Sequence, residues 1–345
     1  MDPERQQQAT LQQEADRIHE EAIIIDGRDP THLMYGFTMS AKSEYPNILR
    51  DGGVTAVIAD AAWVDDNFGQ AARAVAAWHR RVAEMDGGAR IAYHADDIRE
   101  AKQNDQIAFI LSFQGPAPVE DEAGLIDMWQ KLGIRVMQLT YQTQTLLGSG
   151  CTEQSDGGLS RFGQAVVRQM NESGIVVDLS HAGHRTSMDA VAVSSQPVIL
   201  SHTNARALCD TPRNAHDELL RAVAATGGVI GISAYAPIVK KGGGQTGASI
   251  EDYLDQLDYI FNLVGEEHVG VGFDAGEMRT PAEATLLHAR IASSGSAPKH
   301  RYVEELKTRS KVRHLTRGLL RRGYSEGVIR KILGENFLRV FAEVW

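Results

Sequence analysis

Two short stretches of the chain end alike. "VVDLSH" closes on His181 and "VILSH" on His202, each an apolar run that stops at an imidazole. Two histidines at equivalent ends of consecutive strands would point into one mouth, and neutral imidazoles converging there are good ligands for zinc or a similar metal. A third run, "VGVGFD", ends in Asp274. A carboxylate there can bind metal, or take a proton from a metal-bound water whose pKa has been lowered to about 7. The other run ends supply Arg28 and Asp29, Asp60, Gln114, Tyr141 and Ser233. Each has an ordinary structural alternative: Asp274 can cap a loop, Gln114 can satisfy backbone groups, and Tyr141 can form a wall. The paired histidines give the set its direction. Cys151, in the glycine-rich "LGSGC", has no assigned histidine partner and is not read as a nucleophile. His184, His216, His268, His288, His300 and His314 are scattered and read as solvated.

Something must carry these residues to a common place. Eight short runs rich in Ile and Val recur, at residues 22–27, 54–60, 107–113, 134–140, 174–180, 196–201, 227–233 and 268–273. Their length and branching favour strands buried on both faces. Amphipathic segments lie between them, for example 69–84, 122–132, 160–173 and 249–264. Ser160 and Ser249 are placed to cap such helices, and Gly133 and Gly174 to stop them. Strands alternating with helices predict a parallel α/β architecture, and eight is the number that closes a (β/α)8 TIM barrel. An open doubly wound sheet is the alternative; no G-x-G-x-x-G motif supports its dinucleotide-binding form. Residues 1–345 read as one barrel domain with an N-terminal helical extension over 1–21. C-terminal helices follow over 325–345, beginning at a Ser325 cap and divided at Gly334. Irregular tracts at 144–158, 236–249 and 275–300 read as long loops around the mouth.

Composition narrows the partners. The chain has 35 basic and 45 acidic residues, a net charge of -10. The only basic cluster, 312–322, is spaced by leucines and reads as a solvated helix face, which argues against nucleic acid. Two cysteines cannot build a disulfide framework and suit a reducing compartment. The polar N-terminus has no apolar signal-like core, and no run is long enough to span a membrane. A cytoplasmic protein is the expectation.

Four passages together carry a family resemblance: "GGLSRFGQAVVRQMNESGIVVDLSHAGHRT", "PVILSHTNARALCDTPRN", "HVGVGFDAG" and "GYSEGVIRKILGENFLRVFAEVW". From about residue 22 onward the chain resembles the renal or membrane dipeptidase family of zinc metallopeptidases. The resemblance implies a barrel with two bridged zinc ions that hydrolyses dipeptides, and commonly a homodimer. Carried over residue by residue, His181 and His202 match the two histidines that hold one zinc. Asp274 matches the last-strand aspartate that contacts the other zinc and handles the catalytic proton. Arg213 and Asn214, in "TPRN", match the pair whose arginine binds the substrate carboxylate, a role suited to a guanidinium fork.

Three positions depart from the family pattern. Arg28 and Pro30 stand where the family's first-strand His-x-Asp pair would hold the other zinc. Gln114 stands for the bridging glutamate, and Tyr141 for a histidine that meets the substrate. A guanidinium in a ligand's place would repel a cation and could pair with Asp274 instead. Asp29 and His32 are close enough in sequence to be considered as replacement ligands. The expectation is therefore a metallohydrolase for a dipeptide, N-acyl amino acid or small amide with a free carboxylate. It would carry one zinc ion at His181 and His202, with Gln114 as a further donor. Asp274 and Tyr141 would do the catalysis, and Arg213, Asn214, Tyr141 and Arg28 would meet the substrate. The alternative is a metal-free relative that binds a small carboxylate ligand or performs different chemistry.

Overall fold

The computed structural model describes residues 3–30, 44–276 and 299–345. Nine parallel strands form one sheet: β1 Ile25–Asp29, β2 Ala56–Asp60, β3 Ala89–Ile91, β4 Ile107–Phe113, β5 Ile134–Gln138, β6 Val176–Asp178, β7 Ile199–Thr203, β8 Val229–Ile232 and β9 Val269–Val271. Pairing of β2 with β4 and of β1 with β9 closes eight of them into a (β/α)8 barrel. The eight staves are the eight apolar runs. The ninth strand, β3, has no counterpart in the sequence reading, because three residues are too few for a pattern. It pairs with Ile107 to Phe109 of β4, on the edge that β5 takes over from Leu111 onward.

Helices fall where the amphipathic patterns lie. The Ser160 side chain accepts from the N–H of Gly163, and Ser249 forms a reciprocal capping box with Asp252. Gly174 ends its helix in the left-handed conformation, at φ 73°. The C-terminal segment forms two α-helices, Glu326–Arg330 and Asn336–Val344, on either side of a π-turn, Lys331–Glu335, that contains Gly334. Gly334 is there for space, since a Cβ on it would lie 2.4 Å from the carbonyl of Ile23. One expectation is corrected: the basic cluster is not simply solvated. On helix Arg313–Arg321 and just beyond it, Arg317 pairs with Asp16 at 3.0 Å and Arg322 with Asp258 at 2.5 Å, so the cations face acidic neighbours. Of the expected loops, 236–249 contains two short helices, Ala236–Val239 and Gly243–Thr246, and most of 275–300 lies outside the described residues. Among the described residues no helix is long and apolar enough to cross a membrane.

Alternation along the strands sorts the barrel interior into two layers. Ile25, Ala56, Ile58, Ala108, Ile110, Val136, Val176, Ile199 and Val229 form an apolar cluster with Phe337 and Phe341 of the C-terminal helix. Two residues further along the same faces stand Asp60, Ser112, Gln138, Asp178 and Ser201, all buried. Two bulges adjust this pattern. One, between Asp26 and Asp29 of β1, turns Arg28 toward the side of Asp60. The other, between Leu200 and Thr203 of β7, pushes the Ser201 carbonyl inward. A Cβ on Gly27, Gly231 or Gly272 would come within 2.4, 2.1 or 1.9 Å of that oxygen. These glycines serve close backbone approach.

Gly231→Ala should therefore cost about 1–3 kcal/mol or more through overpacking against backbone. Gly327→Ala, in a helix with nothing within 4 Å of the new methyl, should be neutral or stabilising by up to about 1 kcal/mol. Urea unfolding of the two variants measures the contrast.

His19 gives a second test. It is fully buried, with Nε2 2.8 Å from the Gly52 carbonyl and Nδ1 2.7 Å from Thr316 Oγ1. A carbonyl only accepts, so Nε2 carries the proton and Nδ1 accepts from the hydroxyl. Burial pushes its pKa down to about 4. A depressed histidine stabilises the fold fully above pH 6.5, its unfolded value, and that contribution is lost as pH falls toward 4. Stability measured between pH 7 and 4.5 should fall accordingly, and a His19→Gln variant should lack that part of the slope.

Candidate active site

The two histidines meet. His181 Nε2 lies 2.9 Å from His202 Nε2, and both rings are buried. His202 sits on β7, and its Nδ1 is 2.7 Å from Ser201 Oγ. Ser201 in turn donates to Asp178 Oδ2 at 2.5 Å. With its proton on Asp178, the hydroxyl accepts from Nδ1–H, so His202 presents a bare Nε2 lone pair to the mouth. The carboxylate is held on every side: Oδ1 accepts from the N–H groups of Ser180 and Ser201, both at 3.0 Å, and Oδ2 from Gln138 at 2.9 Å. His181 follows β6 in a left-handed conformation, φ 66°, with its carbonyl taken by Cys151 N–H at 2.8 Å. Burial, together with the cations Arg213 and Arg28, keeps both imidazoles neutral, well below their usual pKa.

The other half of the mouth is built differently. Arg28 is completely buried and ion-paired with Asp60, and its Nη1 also donates to Ser112 Oγ at 3.2 Å. The expected partnership of Arg28 with Asp274 is thus corrected: the β1 bulge gives Arg28 to β2. Burial pushes the Asp60 carboxyl upward, and Arg28 opposes the shift. Asp29 is engaged elsewhere, by the hydroxyl of Tyr45 and by Arg309 at 3.4 Å, so it is not turned to the histidines as a replacement ligand. Arg309 also holds Asp26 at 2.6 Å. His32 lies outside the described residues.

Asp274 stands half-buried just past β9, at φ 53°, and its N–H donates to the Arg28 carbonyl at 3.2 Å. Desolvation raises its pKa against the pull of Arg213, Arg28 and Arg301. Tyr141 packs its ring on His181, 4.4 Å between centroids, and burial pushes its phenol far up, so the hydroxyl stays a neutral donor. Arg213 is half-buried, and its Nη2 donates to the His202 carbonyl at 2.7 Å. It lines a pocket of about 180 Å³ with His181, Asn214, Cys151, Arg206 and His184. Asn214 spends its amide protons on the carbonyls of Cys209 and Ile238, both at 2.8 Å, which fastens the loop that carries Arg213. Gln114 is buried just past the end of β4.

Several residues escaped the sequence reading. Arg301, set against Tyr302 with Nε 2.9 Å from its hydroxyl, comes from an irregular segment that gives no periodic signal. The Asp178–Ser201 relay was legible as "DLSH" and "LSH", but not its connection across strands. His184 and His216 are not simply solvated: their rings lie 4.9 Å apart along the pocket wall. His268 is tied to the Gly228 carbonyl at 2.9 Å, whereas His300 and His314 are exposed. His288 lies outside the described residues.

Residues 12–286 and 290–345 match the family model of the membrane dipeptidases, peptidase family M19. The chain belongs to this family. It is 34% identical over 185 residues to an uncharacterised dipeptidase of Schizosaccharomyces pombe, covering 52% of this chain and 44% of that one. It is 30% identical over 256 residues to dipeptidase verJ of Clonostachys rogersoniana, covering 74% and 60%. The chain thus spans about half the length of these curated relatives. An amidohydrolase from Pseudomonas aeruginosa, 32% identical, superposes with a TM-score of 0.87 over 96% of this chain and 99% of that one.

Membership in a metallopeptidase family implies a metal, usually zinc. The two imidazoles suit such an ion as part of its ligand set. His181 and His202 aim two neutral nitrogens at one point, with the tautomer of His202 fixed by its hydrogen bonds. Among the described residues no group of three or more His, Cys, Asp or Glu could hold an ion, and Arg28 faces Asp60 where a second ion would need ligands.

Asp60→Asn should leave the Arg28 charge buried without its counter-ion and cost about 3–5 kcal/mol. The double variant Arg28→Met/Asp60→Asn should recover most of that loss. A double-mutant cycle by chemical denaturation gives the coupling.

Proposed function

We propose that the protein hydrolyses a dipeptide or small amide bearing a free carboxylate. The observation that carries this reading is the convergence of the two neutral imidazole nitrogens, 2.9 Å apart, with the half-exposed Arg213 bonded to the His202 carbonyl and acting on the Asp274 carboxylate. Arg213 is steadied by the His202 carbonyl and has further N–H groups to grip a carboxylate bidentately. Asp274, its affinity for protons raised by burial, takes a proton from the water that adds to the amide carbon. It returns that proton to the leaving nitrogen as the C–N bond breaks. The Tyr141 hydroxyl, kept neutral, donates a hydrogen bond to the oxygen on which negative charge develops. One zinc ion would be held by His181 and His202, with the Gln114 amide oxygen as a further donor. When bound it supplies Lewis acidity and a more acidic water.

A second reading has its own support. The sealed Arg28–Asp60 pair and the short donor set suit a relative that binds a small carboxylate ligand at Arg213 without hydrolysing it.

Assay of a dipeptide and N-acyl amino acid panel, with and without zinc, separates the two. Turnover that falls about 100-fold or more in Asp274→Asn supports hydrolysis. Arg213→Ala should raise KM for free-carboxylate substrates far more than for their C-terminal amides. Saturable binding with no turnover on any member of the panel overturns the first reading in favour of the second.

A further inference from the structure

β1 carries charge on both of its faces, and each charge already has a partner. Arg309 holds Asp26 and Asp29, and Asp60 holds Arg28. Asp178, the next carboxylate around the barrel, is saturated by four donors. Around the paired imidazoles, Asp274 is thus the acid with no ion pair among the described residues. The Arg28 side chain is sealed from solvent, and its charge acts on both His181 and His202. A divalent ion there would have to displace the guanidinium from Asp60, because the anionic ligand it needs is already taken.

We propose that the Arg28–Asp60 pair is a built-in replacement for a metal ion. Its guanidinium fills one half of the barrel mouth and takes up the Asp60 carboxylate, and so excludes a divalent cation from that half. The chain consequently binds no more than one such ion, at His181 and His202, and keeps its fold without any. The inference shares with the proposed function the reading of this mouth as the site, but it does not require hydrolysis.

The test counts ions. The full chain is incubated with excess Zn2+, freed of unbound metal and measured by mass spectrometry, and its thermal unfolding is followed with and without a chelator. The expected result is at most one zinc per chain and a single cooperative melt in both conditions. Arg28→Met should take up an additional zinc beside the released Asp60 carboxylate, and Arg28→Met/Asp60→Asn should return to the original count. Two ions per unmodified chain overturn the proposal. So does a folded Arg28→Met variant whose count is unchanged, or a chain that unfolds on chelation. If Arg28→Met does not fold, the count and the melt of the unmodified chain decide. Two ions with turnover would refute this inference and leave hydrolysis standing; one ion without turnover would do the reverse.

Discussion

The Asp178 carboxylate is where three strands of the barrel are made to agree. β6 pairs with β7 through one register position only, Asp178 opposite Ile199, so the ladder itself holds this seam weakly. The side chain does what the ladder does not. It takes the backbone N–H groups of Ser180 and Ser201, the Ser201 hydroxyl and the Gln138 amide, tying β5, β6 and β7 to one anion. Both histidines ride on the segments it fastens. The inward bulge of β7 is also compatible only with glycine at 27, 231 and 272, on β1, β8 and beside β9. The position of the imidazole pair is thus distributed over six strands, which is the kind of support a precise site needs.

Charge follows the same economy of space. The upper interior of the barrel is polar and buried, so a fully buried charge there is costly without a partner in contact with it. β1 meets this demand twice, with Asp60 answering Arg28 and Arg309 answering Asp26 and Asp29. Three of the six non-glycine residues with positive φ among the described residues belong to this mouth: His181, Asp274 and Gln142, the neighbour of Tyr141. Family membership accounts for the barrel.

Much of this was legible beforehand, for identifiable reasons. Eight runs of branched apolar residues announced eight staves, because a strand covered on both faces has no polar side to show. Ser160, Ser249 and Ser325 marked helix starts, because a cap is a local hydrogen bond within three residues. The equivalence of His181 and His202 followed from the shared ending of their runs, and the resemblance to the dipeptidase family rested on contiguous motifs.

The sequence by itself determined the barrel, the family and which imidazoles would meet. Tertiary structure decided which charges would pair. Arg28 found Asp60 instead of Asp274 because a bulge between Asp26 and Asp29 shifts one strand by a residue, a shift no spacing in the chain reveals. Asp29 was claimed by Tyr45 and Arg309, the latter 280 positions away in the chain, and Arg301 reached the mouth from a segment without periodicity. Strand and helix patterns repeat locally and can be read along the chain. The partner of a buried charge is set by register and by the long-range packing that seals it from water.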